Sequence, residues 1–159
     1  MFLALVLAMT IAVNDGGSFH EPTQEEQIIA YTHEIGDMYD ISPYLLQSMI
    51  YQESGFQPEV GNDGCYGLMG ISAYWNRDRM ERLGVTDLYD PYQNILVGAD
   101  LMAELTDTLG DGDSADVYLT LMAYNAGTAP AVEAYNNGLI SDYATMVMNR
   151  AMELEAQNK

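Results

Sequence analysis

Glu53 ends an apolar helical run, Ser42-Pro-Tyr-Leu-Leu-Gln-Ser-Met-Ile-Tyr-Gln-Glu53, and is followed at once by Ser54 and Gly55. Leu45, Leu46, Met49 and Ile50 form one stripe of the predicted helix, and the three- and four-residue spacings from Ile50 and Met49 set Glu53 at its end. That placement aims a carboxylate at a buried edge. Desolvation there disfavours the ionised form, and a carboxylic acid still protonated near neutral pH can donate a proton to a leaving group. Taken alone, the segment favours a plainer alternative, a helix-end glutamate that turns back to solvent, because surface glutamates are common and perturbed ones rare.

Two downstream segments change that balance. Gly64-Cys-Tyr-Gly-Leu-Met-Gly-Ile71 is a small-residue loop that lets backbone and a methionine approach something closely. Leu119-Thr-Leu-Met-Ala-Tyr-Asn-Ala-Gly127 ends a helix with Tyr124 and Asn125 at its mouth. Together with Glu53-Ser54-Gly55, these motifs resemble those of the lytic transglycosylases related to goose-type lysozyme. That family reads Glu-Ser, then Gly-Leu-Met-Gln, then Ala-Tyr-Asn-Ala-Gly, and closes with a tyrosine near the C-terminus. The matching residues are Glu53-Ser54, Gly67-Leu68-Met69, Ala123-Tyr124-Asn125-Ala126-Gly127 and Tyr143. The stretch from Leu83 to Ile95 resembles the opening of the family's central helix, most of all in versions from Gram-positive bacteria and their mobile elements. The resemblance runs from about Ile41 to Arg150.

The resemblance implies a mainly α, lysozyme-like fold with at most a small β-hairpin. It implies Glu53 as the catalytic residue, with Ser54, Gly67, Leu68, Met69, Tyr124, Asn125 and Tyr143 binding substrate. The implied substrate is the glycan strand of peptidoglycan, cut between N-acetylmuramic acid and N-acetylglucosamine. In the family, the glutamate protonates the glycosidic oxygen and then, as base, takes the proton of the sugar's own C6 hydroxyl, which closes a 1,6-anhydro ring. An attacking group already attached to the reacting sugar has the advantage of proximity, so one carboxylate suffices. A retaining hydrolase needs a second carboxylate about 5 Å away, and an inverting one a base about 6.5–9.5 Å away. Two alternatives therefore stay open: a muramidase of the same fold that uses water, and a wall-binding module that has lost catalysis.

The sequence departs from the family at two places. Gly70 stands where Gln usually follows Leu-Met, so a side-chain amide is missing, and replacing Gly70 with Gln is expected to strengthen substrate use if the loop accepts a side chain. The loop serine that holds the glutamate in many relatives is also absent, since the region reads Gly61-Asn-Asp-Gly64. Asn62 or Asp63 is expected to substitute as the hydrogen-bonding group.

The elements that must position these residues are helical. Thr23-Gln-Glu-Glu26 is a capping box ahead of Ile28, Thr32, Ile35 and Tyr39. Ser42 and Pro43 start the helix that Gly55 stops, and Asp90-Pro91 opens one that Gly110 closes. The latter carries Ile95, Ala99, Met102, Leu105 or Thr106, and Leu109 on one face and reads as the central buried helix. A further helix starts at Thr128-Ala-Pro130 and ends near Gly138, and Ser141 caps the last. The loop from Val60 to Ile71 has room for a small hairpin.

Composition sets the outer limits. With 159 residues, 48% of them hydrophobic, the chain can bury a core as one domain, read as residues 21–159. Residues 1–20 divide into an apolar stretch from Met1 to Val13 and a joint at Asn14-Asp-Gly-Gly-Ser18. The stretch is too short to span a membrane and lacks the positive flank of a signal peptide, so it reads as an export or anchor remnant, with an apolar packed helix as the alternative. A secreted or wall-associated location and a membrane tether through that segment are the matching expectations. Cys65 is the single cysteine and is expected to be a buried small residue. His20 and His33 stand apart from every motif, so neither a metal site nor a cofactor is expected. Five Lys and Arg against 24 Asp and Glu give a net charge of −19, which argues against nucleic acid and anionic membranes as partners. Arg77, Arg79 and Arg82 are expected on an ordinary salt-bridged surface helix.

Overall fold

The structure is a computed structural model and describes residues 20–110 and 116–159. The expectations for the apolar N-terminal stretch and its joint fall on residues 1–19, outside the described residues. Seven helices and one small sheet are seen among those described: α1 (Gln24–Tyr39), α2 (Pro43–Ser54), β1 (Gly61–Asn62), β2 (Cys65–Tyr66), β3 (Ile71–Ser72), α3 (Arg77–Leu83), α4 (Pro91–Leu109), α5 (Val117–Ala126), α6 (Thr128–Asn136) and α7 (Asp142–Gln157). The fold is mainly α, as the motifs imply.

Local chemistry sets most of the helix ends. Thr23 and Glu26 form the reciprocal capping box, with Glu26 N–H bonding Thr23 Oγ1 at 3.2 Å and Thr23 N–H bonding Glu26 Oε2 at 2.7 Å. Asp90 and Ser141 accept from Gln93 and Ala144 at the starts of α4 and α7. Gly55 ends α2 in the left-handed conformation, φ 59°, which glycine adopts without a Cβ penalty. Ser42 sits at the start of α2 but its hydroxyl makes no capping bond, so Pro43 is the operative signal there.

The core joins α1, α2, α4, α5 and α7 around Ile28, Ile35, Leu46, Met49, Ile50, Ile95, Leu121 and Val147, all at most 1% exposed. Each such side chain contributes about 1.5–3 kcal/mol relative to exposure. Helix α4 is the central helix, but its buried face is wider and ends sooner than the apolar pattern predicts. Asn94, Ile95, Val97, Gly98, Ala99, Asp100 and Met102 are buried, whereas Thr106 is exposed and Leu105 and Leu109 are only half-buried. Helix α7 packs along α2, with the Arg150 guanidinium 3.2 Å from the centre of the Tyr51 ring.

The Gly-rich loop forms more than a hairpin. β1, β2 and β3 make a three-stranded antiparallel sheet, pairing Gly61 with Tyr66 and Cys65 with Ser72. Cys65 is exposed on this sheet, because a two-residue strand over one face of the core leaves its outward side chain in water. The expected surface helix α3 is also corrected in part. Arg77 is exposed, but the Arg79 side chain is only 9% exposed and is clamped to Asp100 on α4 at 2.8 Å and to Glu104 at 2.6 Å. Arg82 joins Asp100 at 2.6 Å, so two guanidiniums and the Tyr39 hydroxyl converge on one carboxylate. Hydrogen bonds from Arg82, Arg79 and Tyr39 outweigh burial there and hold the Asp100 carboxyl below its ordinary value.

Candidate active site

Glu53 occupies the last turn of α2, and the start of α7 reaches it because the two helices run together. The Tyr143 hydroxyl donates to Glu53 Oε1 at 2.7 Å. Burial pushes the Glu53 carboxyl above its ordinary value, and the bond from Tyr143 opposes that shift without cancelling it. The buried edge inferred from the apolar stripe is therefore present. The hydrogen bond expected from Asn62 or Asp63 comes from Tyr143 instead. Asn62 at the end of β1 and Asp63 in the turn after it are exposed, and Asp63 has φ 50°.

The Gly67-Leu-Met-Gly70 segment lies against the same carboxylate. Gly70 has φ +60°, and a Cβ built on it would stand 2.8 Å from Glu53 Oε2. The proviso on the expected gain from Gln at this position is thus not met: an L side chain there is strained and meets the acid itself. Tyr124 at the end of α5 donates its hydroxyl to the Met69 carbonyl at 2.7 Å. Burial raises the Tyr124 and Tyr143 hydroxyl pKa values first, and the Glu53 charge raises both further. Glu53, Gly70, Tyr124 and Tyr143 thus come together from four parts of the chain. Asn125 is exposed one residue beyond Tyr124.

Four of the residues expected at the substrate are buried and packed into the fold. Ser54 is buried, and its hydroxyl lies 2.9 Å from the Leu68 carbonyl and 3.0 Å from that of Ile50, tying α2 to the loop. Leu68 and Met69 are fully buried, with Met69 packed on Gly98 so closely that a Cβ there would lie 2.4 Å from its sulfur. Gly67 is buried, and a Cβ on it would lie 2.1 Å from the Leu88 carbonyl oxygen. The buried Ser54, Leu68 and Met69 side chains and the close approach of the Gly67 backbone hold the loop in place.

Asn94 is the residue that sequence reasoning missed. Fully buried on α4, it accepts from Met69 N–H at 2.8 Å and donates to the Tyr66 and Leu88 carbonyls at 2.8 and 2.7 Å. One amide side chain thereby satisfies two backbone groups of the loop that carries Gly70 and one of the segment leading into α4. Its signal was an amide beside Ile95 on an otherwise apolar helix face.

A transglycosylase of Enterobacteria phage PRD1 is 36% identical over 94 residues, 58% of this chain and 32% of the phage protein. A membrane-bound lytic murein transglycosylase F of Pectobacterium atrosepticum is 35% identical over 98 residues, 60% of this chain and 20% of that protein. One of the same description from Pseudomonas putida is 33% identical over 93 residues, 57% of this chain and 18% of that protein. The match thus spans about a third of the phage relative and about a fifth of the bacterial ones. A sequence profile of the transglycosylase SLT domain matches residues 30–138, which include Glu53, Gly70 and Tyr124 but not Tyr143. With well over half of the chain matched, the protein belongs to the transglycosylase SLT domain family.

Proposed function

We propose that this chain cleaves the β-1,4 bond between N-acetylmuramic acid and N-acetylglucosamine in peptidoglycan by transglycosylation. The observation that carries this reading is Glu53: a desolvated carboxyl whose Oε1 accepts the Tyr143 hydroxyl at 2.7 Å, in a chain of the transglycosylase SLT domain family. Tyr143 occupies Oε1, which leaves Oε2 to carry the transferable proton. Glu53 gives that proton to the glycosidic oxygen as the bond to C1 breaks. The resulting carboxylate takes the C6 hydroxyl proton as O6 bonds to C1, so the acid is regenerated and the sugar ends as a 1,6-anhydro ring.

In this reading Tyr124 and Tyr143 flank the acid, and Asn125 contacts substrate beside them. Ser54, Gly67, Leu68, Met69 and Asn94 act as positioning residues. Residues 21–159 form the catalytic domain, and the apolar stretch within residues 1–20 serves export or anchoring. The phage relative supports the likeness to versions from mobile elements. The bacterial relatives, named as membrane-bound murein enzymes, support a periplasmic or wall-associated location. Among the described residues no helix is long and apolar enough to cross a membrane.

Digestion of purified peptidoglycan, with mass analysis of the released muropeptides, tests the proposal. Anhydro products, each lacking one water relative to a hydrolysed product, are expected. Hydrolysed products would make the chain a muramidase, and no release by the folded protein would make it a wall-binding module.

A further inference from the structure

Just beyond the loop that carries Gly70, one turn presents two large exposed rings. Tyr74 and Trp75 follow β3, are 70% and 81% exposed, and meet edge to face with 4.9 Å between ring centres. Aromatic side chains of this size ordinarily hide most of their area, and exposed pairs concentrate at binding surfaces. The turn beneath them is firmly held. Buried Asn76 donates to the Ser72 carbonyl from both its backbone, at 3.1 Å, and its side chain, at 3.0 Å, and accepts from Arg79.

Beside Trp75 opens a cleft of about 370 Å³ whose other walls are Asp78, Arg79, Arg82 and Glu104. That volume lies within the ~300–1,000 Å³ usual for small-molecule sites. Both guanidiniums are already paired, with Asp100 and Glu104, so the cleft offers donors and acceptors without net positive charge. On a chain of net charge −19 it repels polyanions. A flat ring beside a wall of mixed donors and acceptors suits a neutral pyranose: the apolar sugar face covers the indole, and hydroxyl and acetamide groups bond the polar side chains. The place also fits. Gly70 abuts Glu53, and Trp75 is five residues further on, so their Cα atoms are at most ~18 Å apart, within the reach of a single glycan strand.

We propose that Tyr74, Trp75 and the adjoining cleft form an outlying saccharide subsite, which binds N-acetylated sugars of the strand whose scissile bond lies at Glu53. This inference rests on the glycan-cleaving reading and extends it to residues outside the family motifs.

Trp75 is the only tryptophan of the chain, so its fluorescence reports on this site alone. Titration of the Glu53→Gln protein with the N-acetylglucosamine pentamer should shift its emission to the blue in a saturable way. Adding Tyr74→Ala, with an unchanged melting temperature, should weaken the pentamer about fivefold, the order of one aromatic contact. An unmoved emission, or equal affinity in the Tyr74→Ala protein, would overturn the subsite even where the parent releases anhydro-muropeptides. A saturable, Tyr74-dependent shift in a protein whose parent releases nothing would uphold the subsite and sink the reaction. A shift produced by free stem peptide and not by the pentamer would give the cleft to peptide and overturn the saccharide assignment.

Discussion

Glu53 and Asp100 are both withdrawn from water, yet the first holds its proton above the ordinary carboxylate range and the second releases it below that range. The difference lies in what faces them. Glu53 meets one neutral hydroxyl, from Tyr143, and the backbone of Gly70, so desolvation prevails. Asp100 meets two guanidiniums and the Tyr39 hydroxyl, and charge-assisted hydrogen bonds prevail. Burial alone therefore does not make a carboxylate reactive. An acid is kept ready for proton transfer by withholding cations from it, and a clamp is made by supplying them.

The largest expected effect is at the acid. Glu53→Gln keeps the shape and can still accept from Tyr143, but it cannot transfer a proton, so release from sacculi should fall by at least about 10²–10⁴-fold with the fold intact. Activity within threefold of the parent would remove Glu53 from the mechanism. Stability should respond with a definite sign. Between the ordinary and the raised pKa the folded protein holds more protons at Glu53 than the unfolded chain does, so native stability falls as pH rises through that window. The Gln variant escapes this loss; it should melt higher than the parent above the window and show no such gain below it.

Asp100→Ala should break the clamp. It leaves the buried Arg79 without its main partner, and urea unfolding should show a loss of about 3–5 kcal/mol at neutral pH. Because the Asp100 pKa is lowered, its contribution is present above the ordinary carboxylate pKa and is lost as pH falls through the lowered value. The variant and parent stabilities should therefore converge in acid, the reverse of the trend at Glu53.

Smaller effects sharpen the same contrast. Gly70→Gln places a side chain at φ +60° and against Oε2, so it should cost about 1–2 kcal/mol in stability. The displaced acid should lower kcat/KM on defined glycan strands, and a folded variant with higher kcat/KM would restore the expectation taken from the family. Tyr143→Phe removes the one bond that lowers the Glu53 pKa. The alkaline limb of the pH–rate profile should then move to higher pH, and a shift to lower pH would contradict the geometry.

Much of the frame was legible because it is local. The capping box at Thr23, the caps at Asp90 and Ser141 and the glycine stop at Gly55 each act within about four residues, and all four appear where the residues predict them. The stripe from Leu45 to Ile50 likewise pointed Glu53 at a buried edge. The motif match marked the Gly67-Leu-Met-Gly70 loop, but not that its side chains face inward. Cys65 misled because a residue type says nothing of which side of a two-residue strand it takes.

What the sequence determined by itself was the set of helices, their ends and the order of the motifs, since hydrogen bonds and periodicity between near neighbours fix these. What the tertiary structure decided was who meets whom across long separations. Tyr143 reaches Glu53 over 90 positions, Tyr124 reaches Met69 over 55, Asn94 reaches Met69 over 25 and Arg79 reaches Asp100 over 21. The opposite fates of Glu53 and Asp100 belong to the same level, because desolvation and paired charge depend on what packing places around a group and not on the group itself.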